Sequence, residues 1–144
     1  MVKTKKYTLT GEEKRMLEQA AGDILRTHGE VLFAYAYGSF LDTLPIHDID
    51  IGVYLTTDID KTTSAGYALG LAEELGRSLK LPVDIRVLNF APLPFCYHVI
   101  RGALLFERDE AARSQFVEQT IGRYLDIEPY LRRGLKEAFQ HDNE

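Results

Sequence analysis

The sequence predicts an α/β (α+β) fold: a small mixed or antiparallel sheet of about four strands covered by helices. Three observations carry this. Short runs rich in β-branched and aromatic residues recur at 31–37, 48–55, 83–88 and 104–106. Between and around them, apolar residues return at helical intervals. The connections are short and marked by Gly, Pro, Asp or Thr, as expected inside one compact domain spanning 1–144.

Taken in order, Thr10-Gly11-Glu12-Glu13 has capping-box spacing, with Thr10 as N-cap and Glu13 at the third helical position. Met16, Leu17, Ala20, Ala21, Ile24 and Leu25 then form an apolar stripe, which predicts an N-terminal helix over about 11–28. Val31 to Tyr37, bounded by Gly29 and Gly38, reads as a buried strand, and Asp48 to Leu55 as a second. Their short connection suits antiparallel neighbours. Thr56 to Thr63 is turn-like, and helical periodicity resumes from Tyr67 to Leu79. Pro82 ends that helix, and Val83 to Leu88 alternates as a third strand. Phe95 to Ile100 is a short apolar helix closed by Gly102, and Leu104 to Phe106 a short edge strand. Asp109 caps a longer helix, and Pro129 starts or bends a final one, giving C-terminal helices over about 109–141 around a core at about 31–106.

Composition narrows the function. The chain is 45% hydrophobic and 27% charged, the balance of a soluble globular protein. Its net charge of −5 disfavours extended nucleic-acid binding. No apolar run reaches the roughly 18 residues that cross a bilayer, so no membrane association is expected. The single Cys96, among apolar neighbours, reads as a core thiol in a reducing cytoplasm.

The chemistry concentrates in one constellation: Gly38-Ser39, then Asp48-Ile49-Asp50, then Asp84 on the next strand. On a strand, Asp48 and Asp50 project from one face while Ile49 and Ile51 occupy the other. Paired carboxylates repel, and a hard divalent cation converts that repulsion into attraction; Mg²⁺ favours one or two carboxylates together with substrate phosphates. Asp84 interrupts the apolar alternation of Val83, Ile85 and Val87, and burying it unpaired is costly. Three carboxylates on one face suit metal-assisted phosphoryl transfer. Gly38 allows close backbone approach to a phosphate, and Ser39 offers a hydroxyl. Asp58-Ile59-Asp60 repeats the pattern among threonines, where Asp is a turn or N-cap residue, and is rejected as a metal site. His47 reads as a turn-surface residue with a phosphate contact as the alternative, His98 as core or interface, and Tyr37 as strand packing with nucleobase stacking beside Gly38 as the second reading. The stripe Phe116, Ile121, Tyr124, Leu131 and Leu135 reads as core with a partner-binding face as the alternative.

Gly38-Ser39…Asp48-Ile49-Asp50 with Asp84 resembles the DNA polymerase β-type nucleotidyltransferase superfamily. Within it, the chain is most similar to the minimal nucleotidyltransferase (MNT) group, stand-alone domains of which many are antitoxins. The resemblance covers roughly Val31 to Phe106 and includes Pro82-Val83-Asp84-Ile85, Leu88-Asn89 and Ile100-Arg101-Gly102-Ala103-Leu104-Leu105-Phe106; Arg123-Tyr124-Leu125-Asp126 also resembles stand-alone members. It implies Mg²⁺-dependent transfer of AMP from ATP to a hydroxyl. Gly38 and Ser39 would bind the triphosphate, Asp48 and Asp50 the metals, and Asp84 the metal or the attacking hydroxyl. Similar stand-alone members silence HEPN-domain ribonuclease toxins by adding AMP to a toxin tyrosine. The Phe40–His47 connection departs from the pattern: it is shorter, carries no Arg, and has His47 where Ser is common. Two other functions follow from these features: a weakly active or inactive antitoxin or adaptor acting by contact, and a small-molecule nucleotidyltransferase.

Overall fold

The computed structural model describes residues 9–38 and 48–142, with side chains to residue 138. Ser39 and His47 lie outside the described residues. Among the described residues, four strands and four helices follow in the order α1 (Gly11–Arg26), β1 (Val31–Tyr37), β2 (Ile49–Leu55), α2 (Lys61–Leu79), β3 (Val83–Val87), α3 (Leu93–Ile100), β4 (Ala103–Glu107) and α4 (Glu110–Asp142). The sheet order is β3-β2-β1-β4. β1 runs antiparallel to both β2 and β4, whereas β2 and β3 are parallel, so the sheet is mixed.

Strand alternation divides the sheet into two apolar faces. Ala34, Ala36, Ile49, Ile51, Val53 and Ile85 pack against Ala21 and Leu25 of α1 and Ala68, Leu71 and Leu75 of α2. Phe33, Tyr35 and Tyr37 look the other way, toward Cys96 and Val99 of α3 and Phe116 and Val117 of α4. Phe33, Tyr54 and Phe116 form an aromatic cluster there, with Phe33 and Tyr54 stacked at 5.0 Å. Cys96 is buried, its thiol directed at the carbonyls of Leu88 (3.6 Å) and Ala91 (3.7 Å), as a core thiol should be. Gly52 is what lets α3 lie so close: a Cβ there would meet Val99 Cγ1 at 2.7 Å.

The N-terminus of α1 is as the sequence implies, and the helix ends at Arg26, two residues short of the expected 28. Thr10 Oγ1 accepts from Glu13 N–H, and Glu13 Oε1 accepts from Thr10 N–H, each at 3.1 Å. Two expectations are corrected. α2 begins at Lys61, inside the stretch read as a turn, because Asp60 Oδ1 accepts from Thr63 N–H at 2.7 Å and nucleates the helix there. Asp60 is thus a cap, as argued against its being a metal ligand. The C-terminal region is one helix rather than two: Pro129 lies within α4 without ending it. Proline removes one intrahelical hydrogen bond; the Glu128–Arg132 ion pair, at 2.6 Å, spans the same turn. Among the described residues no helix is long and apolar enough to cross a membrane.

Candidate active site

The site forms at the end of the sheet where β1 finishes and β2 and β3 begin. Parallel pairing sets Asp50 of β2 opposite Asp84 of β3, and antiparallel pairing sets it opposite Tyr37 of β1. Residues opposite one another in register project to the same face. Asp50 and Asp84 therefore share a face, with Asp48 two positions earlier on the same side. The hydrophobic alternation drives this arrangement, because Ile49, Ile51 and Ile85 are claimed by the α1–α2 side.

Gly38 follows at the end of β1 with φ of 77°, in the left-handed region. A Cβ there would meet Asp50 Oδ2 at 2.7 Å. Glycine is thus required twice, by its own backbone and by the carboxylate lying against it.

Electrostatics mark Asp50 as the centre of the group. Partial burial, then the charges of Asp48 and Asp84, push its carboxyl up from 3.8 to about 6, with Arg86 and His98 opposing. Tyr37 is pushed up to about 12, first by burial and then chiefly by Asp50. Asp84 is held by Arg86, whose Nε donates to Asp84 Oδ2 at 3.2 Å. Among the described residues, no three His, Cys, Asp or Glu side chains are gathered into a ready-made metal cage. The acids share a face and their like charges act on one another, while Arg86 pairs with Asp84. Their chemistry nevertheless fits a hard ion: three carboxylates, no thiolate, on an open face.

Asp48, Asp50, Asp84 and Gly38 are thus brought together. Three further residues join them, of which Tyr37 alone was a second reading from sequence. Arg86 was visible only as the other charged member of β3, on the same face as Asp84. His98, expected in core or interface, is exposed and so is not a core residue, and its ring lies edge-on to Tyr37 at 5.7 Å. It belongs to α3, which Gly52 admits close to the sheet. Tyr37 itself is 7% exposed and packs edge-on against Phe95, so strand packing is its structural role.

Comparison with known proteins agrees with this fold. The chain is similar to a chain of the tri-AMPylated Shewanella oneidensis HEPN toxin–MNT antitoxin complex, with a TM-score of 0.67, 21% identity, and coverage of 88% of this chain and 98% of that one. A chain of the MntA–HepT toxin–antitoxin complex gives 0.66, 20%, 87% and 98%. A chain of a toxin–antitoxin structure with AMP-PNP gives 0.66, 22%, 90% and 99%. A search of curated proteins returned no match. The model of the family described as polymerase beta, nucleotidyltransferase matches residues 19–111, a span that takes in Gly38, both β2 acids and Asp84. The chain belongs to the polymerase β nucleotidyltransferase family.

Proposed function

We propose that this nucleotidyltransferase is Mg²⁺-dependent and moves AMP from ATP to a tyrosine hydroxyl of a HEPN-type ribonuclease, serving as the cytoplasmic antitoxin of that toxin. The observation that carries the reading is the register pairing of Asp50 with Asp84, on the same face as Asp48 and against Gly38. The adenylyl and partner assignments draw on structural relatives that include a tri-AMPylated HEPN toxin bound to an MNT antitoxin and a complex with AMP-PNP.

Asp48 and Asp50 would hold the divalent ion, with Asp84 as a third oxygen donor; bound there, the ion supplies neutralisation of the triphosphate and of charge developing on the leaving group. Gly38, with Ser39 by family pattern, binds the triphosphate, its left-handed backbone being a conformation that glycine adopts freely. Asp84 accepts the proton of the acceptor hydroxyl as its oxygen attacks the α-phosphorus. The new O–P bond forms, the bond to the β-phosphate oxygen breaks, and pyrophosphate leaves. Arg86 orients the Asp84 carboxylate.

Incubation with α-labelled ATP, Mg²⁺ and the partner toxin should label the toxin, and Asp48→Ala with Asp50→Ala should abolish labelling. Labelling retained in that double variant would defeat the mechanism.

One observation favours a second reading, neutralisation by contact alone. The distal part of α4 exposes Leu125 (54%), Tyr130 (69%) and Leu135 (64%). On that reading the double variant still protects cells from the toxin; loss of protection with an intact complex excludes it.

A further inference from the structure

One edge of the sheet is left open by the helices, and it adjoins the acids. Among the described residues β3 is the outermost strand, paired on its β2 side within the sheet. Ile49 N–H donates to the Pro82 carbonyl at 2.9 Å and Leu88 N–H to the Val53 carbonyl at 2.8 Å. In a parallel ladder, alternate residues of a strand serve each side. Pro82, Asp84, Arg86 and Leu88 therefore turn their backbone toward β2, and Val83, Ile85 and Val87 turn theirs outward. A groove of about 660 Å³ runs along this edge between α2 and α3. Ala65 and Leu69 form one wall, Phe90 and Phe95 the other, and Asp84 and Arg86 lie at its floor.

We infer that this groove receives the acceptor polypeptide as an extended strand added to β3, which brings the acceptor hydroxyl to Asp84. The inference rests on the nucleotidyl-transfer reading and deepens it by naming the acceptor's class and mode of binding. The outward amides and carbonyls are the recognition element of strand addition, and apolar walls accept alternate side chains. An exposed strand edge is a template for pairing with another chain; here the edge opens onto a groove whose walls expose Leu69 (75%) and Phe90 (46%). The five residues of β3 span about 16 Å, the length of a short peptide segment. The groove is continuous with the site, because Asp84 lines it and is also the register partner of Asp50. A nucleic-acid acceptor fits poorly. Among the described residues that line it, the cations are Lys61 and Arg86, Arg86 is engaged by Asp84, and the chain carries −5 overall.

The test uses a library of short tyrosine-centred peptides, with α-labelled ATP and Mg²⁺ for transfer and a fluorescein-labelled set without nucleotide for binding. Leu69→Arg, at an exposed position outside the nucleotide site, should lower both peptide labelling and peptide binding at least ~10-fold. Calorimetric affinity for a non-hydrolysable ATP analogue should stay unchanged. N-methylation of every second peptide amide should abolish binding in one phase and be tolerated in the other. Binding unaffected by Leu69→Arg, tolerance of both methylation phases, no peptide bound, or label passing instead to an oligonucleotide 3′-hydroxyl would overturn the groove. Absence of analogue binding by the wild-type protein would count against nucleotidyl transfer instead, and the fluorescent arm would still decide the groove.

Discussion

The two ends of the sheet differ in how they treat polar groups. At the far end, where β1 begins and β2 and β3 finish, they are paired off. Asn89 closes β3 onto β2, its Oδ1 accepting from Leu55 N–H and its Nδ2 donating to the Leu55 carbonyl, both at 2.8 Å. Arg108 donates to the carbonyls of Arg26 (2.7 Å), His28 (3.1 Å) and Val31 (3.1 Å), tying α1 and β1 to the chain leaving β4. At the site end, three carboxylates share a face with one guanidinium, and a left-handed glycine lies against one of them. One end is built to hold; at the other, Asp50 carries the combined effect of burial and of the charges of Asp48 and Asp84. Such sites lower stability in exchange for chemistry, and the loss is made good elsewhere.

Substitutions at the two ends should therefore separate activity from stability. The largest effect is expected from Asp48→Ala with Asp50→Ala: transfer falls on the order of 10³-fold or more in a labelled-ATP assay. Metal-free thermal stability should hold or rise, since like-charge repulsion is removed. A simultaneous loss of folding would contradict the comparison. Gly38→Ala should come next. It forces a side chain into the left-handed region and against Asp50, costing roughly 1–2 kcal/mol in a denaturant titration and weakening nucleotide binding in calorimetry.

At the far end, Asn89→Ala leaves the Leu55 amide and carbonyl unpaired. About 1–3 kcal/mol of stability should be lost by denaturant unfolding, with transfer per folded molecule unchanged. The smallest effect concerns pH. Asp50 is raised from 3.8 to about 6, so its contribution to metal-free stability is fully present below its unfolded value and is lost as pH rises through about 6. Relative to Asp50→Asn, metal-free wild type should gain stability as pH falls from 7 to 5. Over the same range its Mg²⁺ affinity should weaken, as protons compete for the carboxylate. A difference between the two proteins that does not change with pH would remove Asp50 from the centre of the electrostatics.

The strands were legible because alternation and flanking Gly or Pro are local signals; Val31–Tyr37 and the antiparallel pairing of β1 with β2 follow from them directly. Asp84 was legible for a related reason, as a charge that breaks an apolar alternation. Helix boundaries were less so. The start of α2 depends on which of several Asp and Thr residues captures a free amide, and Asp60 does. The continuity of α4 through Pro129 was hidden because an exposed helix tolerates a proline that a sequence pattern treats as a break. The exposure of His98 and the orientation of Arg86 toward Asp84 depend on how closely α3 and β3 approach β2. That is a packing outcome, set partly by Gly52, and no spacing rule reports it. The pairing of Gly38 with Asp50 is the same kind of contact: both residues were identified, but their mutual dependence is visible only in three dimensions.

The central claim is that Asp48, Asp50 and Asp84 together bind a metal–nucleotide complex. Calorimetric titration of a non-hydrolysable ATP analogue, with and without Mg²⁺, tests it most directly when wild type is set beside Asp48→Ala with Asp50→Ala and beside Asp84→Asn. Binding should require Mg²⁺ in the wild type, disappear in the double variant and weaken in Asp84→Asn. Equal affinity without the metal, or undiminished affinity in the double variant, would contradict it.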